Sequence, residues 1–178
     1  MTNYVYIATS LDGFIATSDG GVDWLSEIPN PENDDFGFAE FMSGIDALVM
    51  GRKTFEKVLT FDSWPYDKPV YVLSRSRVNI PKELENKVET ITGNPKKVVD
   101  QLKELGHQNL YIDGGTTIQG FLEEDLIDEM IITRIPVLLG DGIPLFGKLS
   151  PRLYFNHKRT EILNKILVKS HYTRVRER

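Results

Sequence analysis

Strands that turn directly into helices at glycine residues recur along this chain, and this alternation favours an α/β fold. The apolar residues 109–112 predict a buried strand, and Ile118 and Phe121 recur at helical spacing. Gly114 and Gly115 lie between these two patterns. Glycines at such a junction leave backbone N–H groups open to an anion at the positive end of a helix dipole. A tight turn that needs positive φ is the alternative interpretation of the same pair.

Polar and glycine residues follow three predicted parallel strands, at the point where each strand ends. The groups are Gly51-Arg52-Lys53-Thr54, Ser74-Arg75 and Gly114-Gly115-Thr116-Thr117. The carboxyl ends of parallel strands meet at one edge of a sheet, where α/β folds bind their ligands. We therefore expect the three groups to converge on one site.

The order of the predicted elements is a run of strand–helix–strand units followed by antiparallel strands. Strands are predicted over residues 3–10, 46–50, 70–73, 87–92, 109–112, 127–138, 152–161 and 165–176. Helices are predicted from Asp34, after Gly51, from Pro95 and after Gly115, and residues 17–33 are predicted as a long loop. Arg and Lys alternate along the last two strands, which is typical of an edge hairpin with one face in water. The pattern predicts a mixed, mainly parallel sheet with helices on both faces.

The composition limits the classes of partner that this protein can have. Its 178 residues suit one domain, predicted to span 1–178, and a net charge of −5 offers no basic surplus for nucleic acid. The chain has no cysteine and its three histidines are far apart, so we expect neither a disulfide framework nor a metal site. No targeting sequence and no apolar run of membrane-span length is visible, which is compatible with a cytoplasmic protein.

Cationic residues near the predicted site match the phosphates of a dinucleotide. Two helix N-termini can hold a pyrophosphate, and a further phosphate monoester can be held by guanidinium forks and a hydroxyl. The residues that offer these groups are Arg52, Ser74, Arg75 and Arg77. The pattern favours NADPH over NADH, because only NADPH carries a 2′-phosphate. Solvated loop charges are the alternative interpretation of Arg75 and Arg77, and the chain has no G-x-G-x-x-G, G-x-x-x-x-G-K-[ST] or G-x-S-x-G motif.

Four motifs give the chain a resemblance to the dihydrofolate reductase superfamily. They are Ala8-Thr9-Ser10-Leu11-Asp12-Gly13-Phe14-Ile15-Ala16, Val49-Met50-Gly51-Arg52-Lys53-Thr54-Phe55-Glu56, Val72-Leu73-Ser74-Arg75 and Ile112-Asp113-Gly114-Gly115. Within the superfamily the chain looks most like the RibD C-terminal branch, the reductase domain of riboflavin biosynthesis. The resemblance implies a three-layer αβα fold with a mainly parallel sheet and an antiparallel C-terminal hairpin. It also implies NADPH as the hydride donor.

The resemblance implies which residues contact the cofactor. Ala8 and Ile15 would line the nicotinamide pocket, and Ser74 and Arg75 would meet the 2′-phosphoribose. Arg52, Lys53 and Thr54 would meet the pyrophosphate and 2′-phosphate side, and Gly51 belongs to the same cofactor-binding set. The pyrophosphate would also meet the run Gly114, Gly115, Thr116 and Thr117.

On the substrate side, the resemblance implies aromatic and polar contacts. Trp24 matches a loop tryptophan near substrate, for which a packing anchor is the alternative. Asp35 matches a carboxylate that binds a pteridine or pyrimidine edge, and Thr133 supports the same edge. Asp12 is a further candidate anchor, so Asp12 and Asp35 are the candidate catalytic residues. Asp34 and Asp35 also suit a helix N-terminus for reasons of dipole alone.

The chain departs from each branch of the superfamily at a substrate-binding position. Lys68 stands where dihydrofolate reductases carry the arginine that holds the glutamate tail of folate. Phe14 and Asp113 stand where aminouracil reductases usually carry a basic or polar residue and a glutamate. The H-x-E and C-x-x-C motifs of the zinc deaminase partner are absent.

The sequence therefore predicts an NADPH-dependent reductase that transfers hydride to a small pterin- or pyrimidine-like heterocycle, resembling 5-amino-6-(5-phosphoribosylamino)uracil reductase. A true dihydrofolate reductase and a non-catalytic NADP-binding module are the alternatives. We expect a small-molecule substrate and no nucleic-acid or membrane partner. The riboflavin branch forms homodimers, and the acidic pI and the edge hairpin are compatible with one.

Overall fold

The computed structural model describes residues 1–150 and 152–176, and an eight-stranded mixed sheet runs through their centre. The strands are β1 Thr2–Thr9, β2 Phe14–Ala16, β3 Ala47–Gly51, β4 Val70–Leu73, β5 Val88–Ile91, β6 Asn109–Asp113, β7 Glu129–Arg134, β8 Ile143–Pro144, β9 Tyr154–Leu163 and β10 Leu167–Val175. The α-helices are α1 Phe38–Ser43, α2 Arg52–Val58, α3 Pro95–Glu104 and α4 Gly115–Glu123. No helix in these two ranges is long and apolar enough to cross a membrane.

The strand order in the main sheet is β5-β4-β3-β6-β1-β7-β10-β9, and β2 pairs with β8 in a small second sheet. All pairings from β5 to β7 are parallel, whereas β10 and β9 are antiparallel to their neighbours. The C-terminal hairpin therefore forms one edge of the sheet, with β9 outermost. This arrangement confirms the predicted mixed, mainly parallel sheet with an antiparallel hairpin.

Helices cover both faces of the sheet, which gives the predicted three layers. On one face, α1 and α2 bury Met42, Phe55 and Val58 against the strands. On the other face, α3 and α4 bury Val98 and Phe121. Four consecutive residues of the central strand β3 are fully buried because helices lie above and below it.

The predicted ends of α3 are confirmed. The side chain of Asn94 accepts a hydrogen bond from the backbone N–H of Lys97 at 2.9 Å, and Pro95 is the first residue of the helix. Gly106 follows with a φ of +93°, a conformation that glycine adopts without steric cost.

The helix predicted from Asp34 begins four residues later, at Phe38. Phe36 and Gly37 have φ values of 55° and 83°, which lie in the left-handed region and cannot continue a right-handed helix. The local charge pattern pointed to a helix start, but the backbone makes a tight turn first.

The strand predicted over residues 127–138 is shorter, because β7 ends at Arg134. Beyond it, the carbonyl of Val137 accepts a hydrogen bond from the N–H of Leu11 at 2.8 Å. The chain leaves the sheet to brace the turn that follows β1. The predicted loop over 17–33 also contains a short 3₁₀ helix at Asp23–Glu27.

Candidate active site

The three predicted groups lie side by side at one edge of the sheet. In the register of the parallel strands, Gly51 pairs with Leu73 and Met50 pairs with Asp113. Strands β4, β3 and β6 are neighbours and end at the same level. The residues that follow β4 and β6, Ser74 and Gly114, therefore flank the end of β3 on both sides, as the sequence predicted.

The two strand–glycine–helix junctions pack directly against each other. A Cβ placed on Gly114 would collide with the hydroxyl of Thr54, in the first turn of α2. A Cβ placed on Gly51 would lie 3.0 Å from the hydroxyl of Thr117, in the first turn of α4. Each glycine thus leaves room for a threonine from the opposite helix.

Gly114 has a φ of +88°, so the turn interpretation of this residue is correct. The same turn leads into α4, whose first N–H groups have no acceptor within the helix. Thr116 in this first turn is exposed, while Gly115 is buried. The tight turn and the anion-binding interpretation are compatible at this junction, and anion binding stays a prediction.

Ile15, which is predicted to line the nicotinamide pocket, lies against the same junction. A Cβ on Gly115 would come within 3.0 Å of the Ile15 side chain and within 3.3 Å of Ile143. The small sheet of β2 and β8 therefore packs onto the start of α4. Ile15 and the predicted pyrophosphate site are neighbours in the fold.

Cationic side chains at this edge reach into solvent. The Arg52 side chain is 45% exposed, and its contact with Glu56 at 3.7 Å is a weak surface pair. Lys53 and Arg75 are exposed as well. The Ser74 hydroxyl donates to the carbonyl of Ser76 at 2.8 Å, which shapes the turn after β4. Such cations can turn towards a phosphate group without first breaking a strong internal ion pair.

A row of three side chains crosses the sheet on the α1 face. Ala8 of β1 pairs with Thr133 of β7, and Thr133 pairs with Lys169 of β10. Thr133 is buried, and Ala8 is partly exposed. The predicted nicotinamide and substrate residues Ala8 and Thr133 are therefore adjacent, and Lys169 is a residue that the sequence prediction missed.

Asp35 caps helix α1. Its two carboxylate oxygens accept hydrogen bonds from the N–H groups of Gly37 and Ala39, both at 2.8 Å. These bonds, with that of Ala39 first, lower the pKa of Asp35 below its usual value. Both carboxylate oxygens therefore accept backbone N–H groups, which agrees with the interpretation of Asp35 as a residue of the helix N-terminus.

Asp12 braces two loops. It accepts a hydrogen bond from the hydroxyl of Ser10 at 2.6 Å, and further bonds from the N–H groups of Leu139 at 3.2 Å and Gly140 at 2.8 Å. The Ser10 hydroxyl is the main cause of a lowered Asp12 pKa. The structure thus gives Asp12 a role in joining the turn after β1 to the segment after β7.

Trp24 packs as an anchor under the long loop. It is 6% exposed and lies in a cluster with Ile135 and Leu167, which the partly buried Ala8 and Phe36 adjoin. Its indole N–H is buried and has no hydrogen-bond acceptor in the described parts of the chain. The packing interpretation holds, and the orphaned donor lies in the neighbourhood of the predicted substrate site.

Asp113 is a second residue that the site prediction did not include. Its carboxylate accepts the N–H of Gly114 at 2.8 Å, at the point where β6 turns into α4. Although part of the residue is exposed, its carboxyl group is surrounded by protein, and this burial raises its pKa to about 6. The sequence signal that could have identified Asp113 is its position as a charged residue at the end of an apolar strand.

A cavity of about 180 Å³ opens between α1 and the C-terminal hairpin. We call it the hairpin cavity; its lining includes Tyr6, Phe41, Ile131, Arg159, Lys169 and His171. The row of Tyr6, Ile131 and His171 lies next to the row of Ala8, Thr133 and Lys169. Over residues 1–150 and 152–176, no group of three His, Cys, Asp or Glu side chains is arranged to hold a metal ion.

Two similar proteins match almost the whole chain. YwjB of Bacillus subtilis, which is described as uncharacterized, is 40% identical over 174 residues, or 96% of each chain. A putative riboflavin biosynthesis protein from Shewanella sp. PV-4 has a crystal structure that is 51% identical. It superimposes with a TM-score of 0.95 over 99% of this chain and 100% of that chain.

Two distant structures share the fold. A diaminohydroxyphosphoribosylaminopyrimidine deaminase/5-amino-6-(5-phosphoribosylamino)uracil reductase from Thermotoga maritima has a TM-score of 0.75 at 16% identity, covering 98% of this chain and 56% of that chain. Dihydrofolate reductase from Enterococcus faecalis, complexed with NADP(H), has a TM-score of 0.68 at 14% identity, covering 97% and 96%. The fold is therefore that of dihydrofolate reductase.

The family comparison agrees with the motifs and with the fold. A model of the RibD C-terminal domain matches residues 4–168, a span that includes every residue of the predicted cofactor site. The chain therefore belongs to the RibD C-terminal domain family.

Proposed function

We propose that this protein is an NADPH-dependent reductase that transfers hydride to a small pyrimidine- or pterin-like heterocycle. The observation that carries the proposal is that the ends of β4, β3 and β6 lie side by side. Two of these strands turn into helices at glycine residues, and exposed cations lie next to them. Backbone N–H groups and guanidinium forks in this arrangement suit the phosphates of a dinucleotide. The space left by Gly51 and Gly114 brings the two helix starts close together.

Each part of the edge has a role in holding the cofactor. The first turn of α4, from Gly115 to Thr117, would bind the pyrophosphate, with Arg52 and Lys53 neutralising charge. Ser74 and Arg75, next to the end of β4, would hold the 2′-phosphate. When bound, NADPH supplies the hydride from C4 of its nicotinamide.

The substrate would lie on the α1 face, beside Ala8 and Thr133. The protein's contribution there is orientation and the exclusion of water, which the buried Thr133 and Trp24 favour. A reduced C=N or C=O group also needs a proton. Asp113 is better suited to hold it than Asp12 or Asp35, because burial raises its pKa to about 6 whereas backbone and hydroxyl donors keep the other two ionised.

Two proteins that share the fold support this proposal. The Thermotoga maritima protein is named as a uracil reductase, and the Enterococcus faecalis enzyme was solved with NADP(H). A cytoplasmic location and a homodimer stay predictions from the sequence.

Arg75→Ala tests the cofactor assignment. We expect the dissociation constant for NADPH to rise about tenfold, with that for NADH unchanged, because a charge-assisted hydrogen bond to the 2′-phosphate is lost. Quenching of tryptophan fluorescence measures both constants. Lys82→Ala is the matched control, since Lys82 is an exposed cation of the same β4–β5 connection. Equal losses for NADPH and NADH would contradict the assignment of the 2′-phosphate.

Turnover is tested by NADPH oxidation with the phosphoribosylaminouracil and dihydrofolate side by side. Oxidation with either compound supports a reductase and identifies the branch. NADPH binding without oxidation by any pterin or pyrimidine would instead indicate a non-catalytic binding module. Failure to bind NADPH at all would refute the proposal.

A further inference from the structure

The mostly buried side chain of Lys169 lines the hairpin cavity, close to the predicted nicotinamide and substrate residues. Lys169 lies beside Thr133 in the sheet, and Thr133 lies beside Ala8. The Lys169 side chain is 11% exposed, although lysines are rarely buried to this extent without a reason. The Lys169 side chain lines the hairpin cavity, and its backbone lies in register with Thr133 and Ala8.

The contacts of Lys169 leave part of its bonding capacity open. Its Nζ donates to the carbonyl of Phe36 at 3.0 Å and pairs with a carboxylate oxygen of Glu161 at 3.3 Å. An ammonium has three N–H donors, and in the described parts of the chain these two acceptors are the ones in contact. A Cβ on Gly37 would approach Nζ to 3.1 Å, so the glycine leaves room around the charge.

Two carboxylates in or beside the cavity, Glu161 and Glu129, already pair with basic side chains, and one of these is Lys169 itself. Glu161 is shared by Lys169 and by Arg159 at 3.1 Å, and Glu129 pairs with His171 at 2.5 Å. Glu40 also lines the cavity, from the exposed side of α1. The interior of the cavity therefore offers a ligand a hydrogen-bond donor at Lys169.

The carboxylate expected to bind a heterocycle edge is occupied as well. Both oxygens of Asp35 accept backbone N–H groups at the start of α1. A protonated diaminopyrimidine edge needs a carboxylate acceptor, and beside Lys169 it would meet a like charge instead. A carbonyl oxygen needs a donor, which Lys169 provides.

We propose that Lys169 binds a carbonyl oxygen of the substrate, so that the site selects pyrimidinedione or lactam edges over diaminopyrimidine edges. This inference rests on the proposed reductase function and assigns the substrate class of the same site. The tail of the substrate would extend along the hairpin cavity, over Tyr6 and Ile131. Lys169 is in this view a binding residue that sets specificity, while the cofactor site lies at the separate edge formed by β4, β3 and β6.

Binding of two small probes to the wild-type protein, measured by calorimetry with saturating NADP⁺, provides the first test. We expect diaminouracil to bind at least about tenfold more tightly than trimethoprim, a diaminopyrimidine, because only diaminouracil presents carbonyl oxygens. The comparison uses no variant, so it does not depend on how well a substituted protein folds. Tighter binding of trimethoprim, or no detectable binding of diaminouracil, would overturn the inference.

The second test removes the donor. Lys169→Met keeps an unbranched side chain that is one atom shorter, and we expect it to weaken diaminouracil binding about 10- to 100-fold with NADP⁺ affinity unchanged within about twofold. Lys169→Gln, which retains a neutral N–H donor, should fall in between. Lys158→Met is the matched control, since Lys158 is an exposed lysine of β9, and should bind like the wild type.

The two proposals fail in different ways. Unchanged diaminouracil affinity in a folded Lys169→Met protein would overturn the role of Lys169 while NADP⁺ still binds. Loss of NADP⁺ binding in the wild type would instead count against the reductase function itself.

Discussion

The hydroxyl of Thr54, in the first turn of α2, fills the space that a Cβ on Gly114 would need. The reciprocal contact joins Gly51 to Thr117, where a Cβ would lie 3.0 Å from the hydroxyl. The starts of α2 and α4, at Arg52 and Gly115, are far apart in sequence and are held together by threonine side chains that pack against glycine backbone. The relative position of the two halves of the proposed phosphate site depends on this packing.

Gly114→Ala should destabilise the fold by about 2–4 kcal/mol, since it combines a steric clash with an unfavourable positive φ. Urea unfolding followed by circular dichroism measures the loss. Gly106→Ala is the matched control, because Gly106 also has a positive φ, +93°, but a Cβ there would meet nothing within 4 Å. Gly106→Ala should lower the free energy of unfolding by about 1 kcal/mol.

Thr54→Ala should partly rescue Gly114→Ala by removing the colliding hydroxyl. The double variant should therefore be less destabilised than the sum of the two single changes. Equal losses of unfolding free energy in Gly114→Ala and Gly106→Ala would show that the contact with Thr54 does not contribute to stability.

Asp113→Asn should stabilise the protein at neutral pH and have little effect near pH 4. The pKa of Asp113 is raised by burial from 3.8 to about 6, so its contribution to stability is complete below pH 4 and is lost as the pH rises to 6. An amide keeps the acceptor for the Gly114 N–H and avoids the buried charge. We expect a gain in unfolding free energy of up to about 2 kcal/mol at pH 7, measured by urea unfolding across this range.

Asp46→Asn serves as a control, because we expect it to change the stability at pH 7 in the opposite direction. The N–H groups of Gln108 and then Asn109 lower the pKa of Asp46, so its contribution is present at neutral pH and is lost as the pH falls through the lowered value. Asp46→Asn should therefore lower stability at pH 7. A stability difference for Asp113→Asn that does not vary between pH 4 and 7 would argue against a buried, titrating carboxyl group.

Asp35→Ala should lower the melting temperature by about 2–5 °C because the cap of α1 is lost. Asp35→Asn keeps one acceptor oxygen, enough for one of the two backbone N–H groups, and should retain part of this stability. Turnover of NADPH should stay within about threefold of the wild type in the Asn variant. A stable Asp35→Asn protein without turnover would favour the catalytic interpretation of this carboxylate.

Much of the architecture could be predicted because its signals are local. Runs such as residues 70–73 are apolar over the length of a strand, and Asn94-Pro95 marks a helix start through contacts within one turn. The convergence of the glycine junctions followed from a general property of parallel sheets, whose carboxyl ends lie at one edge. None of these inferences needed the position of a distant residue.

The errors arose where a distant part of the chain competes with the local pattern. The apolar run that contains β7 continues past Arg134, but Val137 turns away to accept a hydrogen bond from Leu11. The acidic residues at Asp34 resemble a helix start, but Phe36 and Gly37 adopt left-handed conformations and the helix begins after them. In this turn the Asp35 carboxylate accepts hydrogen bonds from the N–H groups at the start of α1.

By itself, the sequence determined the order of the elements, the glycine junctions and the family, because each depends on neighbouring residues or on motifs of fixed spacing. Only the tertiary structure decided which polar groups lie at the proposed substrate site. Lys169 meets Thr133 through the register of two strands separated by more than 30 residues, and the raised pKa of Asp113 reflects burial by side chains from several elements. Register and burial depend on contacts between residues that are distant in sequence, so the electrostatics of the proposed substrate site are defined only once the chain has folded.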